Sequence, residues 1–146
     1  MSRQRDFRTR AIQLAMLPSA APEMGWLDLQ GMSLPATEVG GDYYDFLTVD
    51  PDRVAVVVGD VAGHGVASGL LLSGVRAGLH LLRADLVDPR AVVERLNLLV
   101  RDSGVSRLFM SLVVALFDRT TGKVQVVTAG HPPALRFRAA TGQVVI

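Results

Sequence analysis

The sequence predicts an α+β fold: antiparallel sheets with helices packed on one face. Three observations predict it. Apolar, β-branched runs come in meander-like groups. Two longer helical patterns are inserted between those groups. Glycine, proline and aspartate turns separate nearly every run. The chain has 146 residues, 49% apolar and 20% charged, which suits one globular domain with a core of its own.

The elements follow in order. Residues 3–16 read as a short helix, with Phe7, Ala11, Leu14 and Ala15 on one stripe. Leu17-Pro18 ends it, because proline disfavours helix at the preceding residue. Residues 27–34 alternate loosely and read as a strand, and 35–41 as a loop. A second strand is expected over 42–47, then a turn at Asp50-Pro51-Asp52. Residues 54–58 are a continuous apolar run, which predicts a buried central strand. The glycine loop 59–65 feeds a helix over 66–83, apolar over most of its circumference and so expected to be largely buried. Asp88-Pro89 is a helix start, with Asp as N-cap and Pro at the first position. That helix runs to 101, with Val92, Val93, Leu96 and Leu99 inward. A strand over 109–117, a turn at 119–122 and a return over 123–128 make a hairpin. After the Ala129-Gly130-His131-Pro132-Pro133 corner, 134–138 and 143–146 make another. The strand at 143–146 leaves an open edge, which invites pairing with another chain as a homodimer.

Composition excludes several functions. There is no cysteine, hence no disulfide framework, zinc-thiolate site or thiol nucleophile, which fits a reducing cytoplasm. A net charge of +1 gives no argument for nucleic acid. No apolar run reaches the roughly 20 residues needed to span a membrane. The basic residues are arginines apart from Lys123, and the cluster Arg3, Arg5, Arg8, Arg10 reads as a solvated helix face.

Two aspartates stand out. Asp42 follows Gly40-Gly41, and Asp60 follows Gly59 at the end of the central strand. Glycine lets a backbone turn sharply and approach an ion closely, and carboxylates suit hard divalent cations. Two such residues can share one metal or bridge a pair of ions, but Asp60 can equally cap a turn or the following helix. A dinucleotide loop is disfavoured: Gly63-His64-Gly65-Val66-Ala67-Ser68 ends in Ser, and Asp60 would repel a pyrophosphate. Other polar residues have plainer readings. His64 reads as a turn residue, His80 as a core or boundary histidine, and His131 as structural, holding its corner near the site. Asp45 either orients a metal water or is simply a polar strand residue. Glu38 and Asn97 are open to solvent or to the site.

Three segments together resemble a known family. They are Pro35-Ala36-Thr37-Glu38-Val39-Gly40-Gly41-Asp42-Tyr43-Tyr44-Asp45-Phe46, then Gly59-Asp60-Val61-Ala62-Gly63-His64-Gly65, then Ala129-Gly130-His131-Pro132-Pro133. In this order they resemble the SpoIIE/RsbU-type serine phosphatases, the bacterial branch of the metal-dependent PPM (type 2C) protein phosphatases. Ile12-Gln13, Leu17-Pro18 and Phe109-Met110-Ser111-Leu112 extend the likeness, which runs colinearly from about Ala11 onward.

The resemblance implies an αββα sandwich, two antiparallel sheets flanked by helices, with residues 1–18 as a linker helix and 19–146 as the phosphatase domain. It implies two Mn²⁺ or Mg²⁺ ions between the sheets. Asp42 and Asp60 would be the catalytic, metal-holding residues, with Asp60 bridging and the carbonyl of Val61 a further ligand. A metal-activated water would hydrolyse phosphoserine or phosphothreonine on a regulatory protein, typically a STAS-domain anti-anti-sigma factor in a cytoplasmic partner switch. The two long helices would couple regulation to metal binding. The sequence departs from the family in two places. The family draws further aspartates from a later Thr-Asp-Gly segment and a final acidic motif, and here Asp118 is the last acid. The expectation is therefore a C-terminally incomplete phosphatase domain; the alternative is a catalytically silent one that binds or regulates a partner. Ala62 also stands where eukaryotic-type members carry a histidine that can serve as acid.

Overall fold

The computed structural model of the chain describes residues 15–34, 41–63, 65–104 and 108–146. The expected helix at 3–16 lies outside these residues except for its last two, which sit in a turn. The arginine cluster, Glu38 and His64 also lie outside them.

Among the described residues eight strands and α-helices follow in order: β1 (Asp42–Asp50), β2 (Arg53–Val61), α1 (Val66–Leu81), α2 (Pro89–Asp102), β3 (Met110–Asp118), β4 (Lys123–Ala129), β5 (Arg136–Arg138) and β6 (Gln143–Val145). A 3₁₀ turn, Arg83–Val87, joins the two helices. The first four strands form one sheet in the order β1-β2-β3-β4, and β5 pairs with β6 separately. Every strand pair is antiparallel. This is the expected α+β arrangement of antiparallel sheets flanked by helices.

Strand alternation gives the larger sheet two unlike faces. Tyr43 and Leu47 of β1, Ala55, Val57 and Val61 of β2, and Leu112, Val114 and Leu116 of β3 are buried on one face. Leu71, Leu72, Val75 and Leu79 of α1, Leu86, and Val92 and Leu96 of α2 cover them. The other face carries Asp42, Tyr44, Phe46, Val56, Val58, Asp60 and Ser111 at the alternate register positions. Part of the 15–34 segment lies beside it: the Tyr44 hydroxyl donates to the Gly31 carbonyl at 3.3 Å, and Trp26 Nε1 donates to the Pro51 carbonyl at 3.3 Å.

Local signals account for the boundaries. Asp88 caps α2, its carboxylate accepting from the Ala91 N–H at 3.1 Å, with Pro89 at the first position. Asp118 Oδ1 accepts from the N–H groups of Thr120 (2.8 Å) and Thr121 (3.0 Å) and so closes the β3–β4 turn.

The structure corrects four expectations. Residues 27–34 form no strand: they are fastened to the sheet by side-chain bonds such as that of Tyr44, not by a backbone ladder. Val61 closes β2, so Gly59 and Asp60 belong to the strand and not to the loop; the ladder to β3 continues through them. Helix α1 is not largely buried. Its inward stripe is Ser68, Leu71, Leu72, Val75 and Leu79, while Val66, Leu70 and Leu81 are exposed, because the sheet and α2 cover only one side of α1. Leu99 of α2 is only partly inward: it packs over Gly74 and Gly78 of α1 and is still 36% exposed.

Candidate metal centre

Asp42 opens β1, and Asp60 is the penultimate residue of β2. The ladder sets them directly opposite each other on the open face of the sheet, and both are exposed. Directly opposed residues of an antiparallel pair hold their Cβ atoms roughly 4.5–5.5 Å apart, and like charges there repel. A cation between the carboxylates relieves that repulsion. Asp60 does not cap α1, whose N-cap is Gly65 without any side-chain bond.

Gly41 makes the close approach possible. Its carbonyl accepts from the Val61 N–H at 3.1 Å. A Cβ at position 41 would lie 2.0 Å from the Val61 carbonyl oxygen and 2.7 Å from Asp60 Oδ1. The space that any other residue would fill is therefore bordered by two oxygens, one from a carboxylate and one from a peptide. Asp42, Asp60 and the Val61 carbonyl thus come together at one end of the β1–β2 pair. Among the described residues, no group of three or more His, Cys, Asp or Glu side chains converges. Two carboxylates, a carbonyl and solvent fit Mg²⁺, which keeps several waters and is commonly held by one or two carboxylates.

Two further residues extend the row. Ser111 of β3 is opposite Asp60 across the next ladder. The Leu112–Gly130 bridge brings the 129–133 corner alongside, and His131 Nδ1 lies 2.8 Å from Ser111 Oγ. His131 and Asp42 line one cavity of about 380 Å³, together with Gly31, Met32, Tyr44 and Val58. The expectation that His131 holds its corner near the site agrees with this geometry. The corner's Gly-His-Pro-Pro run was the only sequence signal for it, and nothing in the sequence linked it to Ser111.

Asp45 lies on the other face. It is 4% exposed, and its Oδ2 accepts from the Tyr43 hydroxyl at 2.7 Å and meets His80 Nε2 at 2.9 Å. Oδ1 accepts from the Phe46 N–H at 2.8 Å, and Arg76 Nε lies 4.0 Å from Oδ2. Burial first, then the Asp45 carboxylate, holds the Tyr43 hydroxyl well above the ordinary tyrosine range, so it remains a donor. Of the two readings of Asp45, the structure supports the polar strand residue: it ties β1 to α1 and is turned away from Asp42. His80 is the boundary histidine expected. The only sequence trace of the pairing is that Arg76 and His80 are four apart on one helix.

The chain is similar to several known proteins. The family described as stage II sporulation protein E (SpoIIE) matches residues 50–146. The phosphoserine phosphatase RsbU of Bacillus subtilis (strain 168) is 25% identical over 126 residues, covering 86% of this chain and 37% of its own length. The phosphoserine phosphatase RsbP of the same organism is 26% identical over 104 residues, covering 68% of this chain and 26% of RsbP. The chain therefore spans about a third or less of these relatives. The solved RsbU and RsbW domains of Rv1364c from Mycobacterium tuberculosis superpose with a TM-score of 0.59 at 34% identity, over 66% of this chain and 27% of that one. With the matched region reaching from β1's last residue to Ile146, the chain belongs to the SpoIIE family.

Proposed function

We propose that this chain is part of a Mn²⁺- or Mg²⁺-dependent protein phosphatase that hydrolyses phosphoserine or phosphothreonine on a regulatory protein. One observation carries the reading: Asp42 and Asp60 face each other across the ladder, with the Val61 carbonyl beside Asp60 at the cradle of Gly41. Asp42, Asp60 and the Val61 carbonyl would hold the metal, two ions in the full reading. A bound divalent cation supplies a water of lowered pKa and neutralises charge on the phosphoryl oxygens. The chain's own residues fix the carboxylates on two rigid strands and leave the site open to a protein-borne phosphate. A STAS-domain anti-anti-sigma factor is the substrate class we infer, and the cytoplasm the compartment. Among the described residues no helix is long and apolar enough to cross a membrane.

A second reading, a silent domain that binds or regulates a partner, draws on one observation: only two acidic side chains meet at the site among the described residues. Phosphate release from a phosphoserine STAS protein, with and without millimolar Mn²⁺, separates the two. The phosphatase reading expects manganese-dependent release that Asp60→Asn abolishes. Release that survives in Asp60→Asn removes the metal assignment, and no release favours the silent domain.

A further inference from the structure

The Ser111–His131 pair has no part in holding the metal, yet it borders the same site. Ser111 is Asp60's neighbour in the ladder, and His131 shares a cavity with Asp42. The bond between them constrains the imidazole. Ser111 Oγ lies 2.8 Å from His131 Nδ1 but 3.5 Å from the Asp60 carbonyl. The second distance is too long for a good O–H···O bond, so Nδ1 is the hydroxyl's closer partner. When the hydroxyl donates to Nδ1, the ring's own proton is on Nε2. His131 is half-buried and borders the cavity. Of the side chains along that cavity, Tyr44 is committed to Gly31. Asp42 accepts only. Gln30, Ser33 and His131 carry donors along it, and of these His131 is the one bonded to Ser111, the ladder neighbour of Asp60.

We propose that His131, oriented by Ser111, donates from Nε2 to an oxygen of the substrate's phosphoryl group. The inference rests on the phosphatase reading and adds a substrate-binding residue to it. It also gives Ser111 a role as a positioning residue that sets the tautomer.

The test is nitrogen-detected NMR of the His131 ring in the intact chain, with O-phosphoserine and Mg²⁺ as probes, beside calorimetric phosphoserine binding. The expected ring is the Nε2–H tautomer, and its Nε2 resonance moves on addition of phosphoserine. His131→Phe keeps the ring's bulk and weakens phosphoserine binding roughly 10- to 100-fold, the value of a hydrogen bond to a charged group. Ser111→Ala weakens it as well, and Ser111→Thr, which keeps the hydroxyl, restores it. A purely structural role would lower the melting temperature of His131→Phe and leave affinity for phosphoserine unchanged. That result, or an Nδ1–H tautomer, overturns the inference alone. If the unaltered chain binds no phosphoserine, or binds it equally well without Mg²⁺ and in Asp60→Asn, the phosphatase reading fails and the inference falls with it.

Discussion

Gly41 and Asp45 show how much one atom decides on either face of β1. Adding a single methyl group at Gly41 requires the β1–β2 ends to separate, because the new carbon would meet the Val61 carbonyl oxygen at 2.0 Å. Separation moves Asp42 away from Asp60. Gly41→Ala is therefore expected to weaken Mn²⁺ binding by roughly 10- to 100-fold, the usual cost of disturbing the residues that orient metal ligands. Titration calorimetry with Mn²⁺ checks it, and unchanged affinity would mean the cradle has no part in the site. Asp45→Ala acts on stability. It leaves the Tyr43 hydroxyl buried without its acceptor, at a cost of about 1–3 kcal/mol in urea unfolding. Asp42 and Asp60 could be singled out in the sequence because glycines flank them, but spacing left ligand and cap equally open for Asp60, and the family resemblance carried the choice. The Asp45–His80 pair was not legible there, because 35 residues separate partners that meet only once α1 packs on the sheet.

Elements that announce themselves by their ends were read correctly. The cap at Asp88 is the clearest, and Asp88→Ala is expected to cost about 0.5–2 kcal/mol by thermal or urea unfolding. The β3–β4 turn is next. The hydrogen bonds from Thr120 and Thr121 hold the Asp118 carboxyl below the usual carboxylate range. A depressed pKa means the unfolded chain binds the proton first as pH falls. The turn's contribution is thus complete above about pH 4, the unfolded value, and is lost on acidification below it. Asp118→Asn should flatten that part of the acid-unfolding curve, and a curve of unchanged shape would show that the turn contributes nothing. Elements decided by neighbours were harder to read. Residues 27–34 alternate like a strand, yet their fastening through Tyr44, like that of the neighbouring Trp26, is a matter of side chains. The extension of β2 to Val61 was hidden because Gly59 and Asp60 are turn-like residues, and pairing on both sides, with Tyr43 and Asp42 of β1 and Leu112 and Ser111 of β3, keeps them in the ladder.

At the scale of the molecule, the sheet separates stability from chemistry. The helices fill one face, and the candidate site occupies the other. Val57 and Val58 are chain neighbours, but Val57 is fully buried under the helices and Val58 is 39% exposed. The α+β class was legible because it depends on the order of patterns, whereas which face each residue takes depends on register. This one-sidedness can be measured by comparing substitutions on opposite faces. Leu79, at 0% exposure, sits in the layer between α1 and the sheet. Leu79→Ala should cost about 2–5 kcal/mol, since a buried leucine leaves a cavity that the surroundings only partly fill. Val126 lies on the opposite face of β4 and is 47% exposed. Val126→Thr keeps the β-branched shape and changes little buried surface, so its cost should stay within about 0.5 kcal/mol. Urea unfolding of both variants, with unchanged slopes, gives the comparison directly. Equal costs would mean that the face carrying Asp42 and Asp60 is itself a packed core in solution, with something covering it. A large cost for Leu79→Ala alone places the core under the helices and leaves the aspartate face free to meet a phosphoprotein.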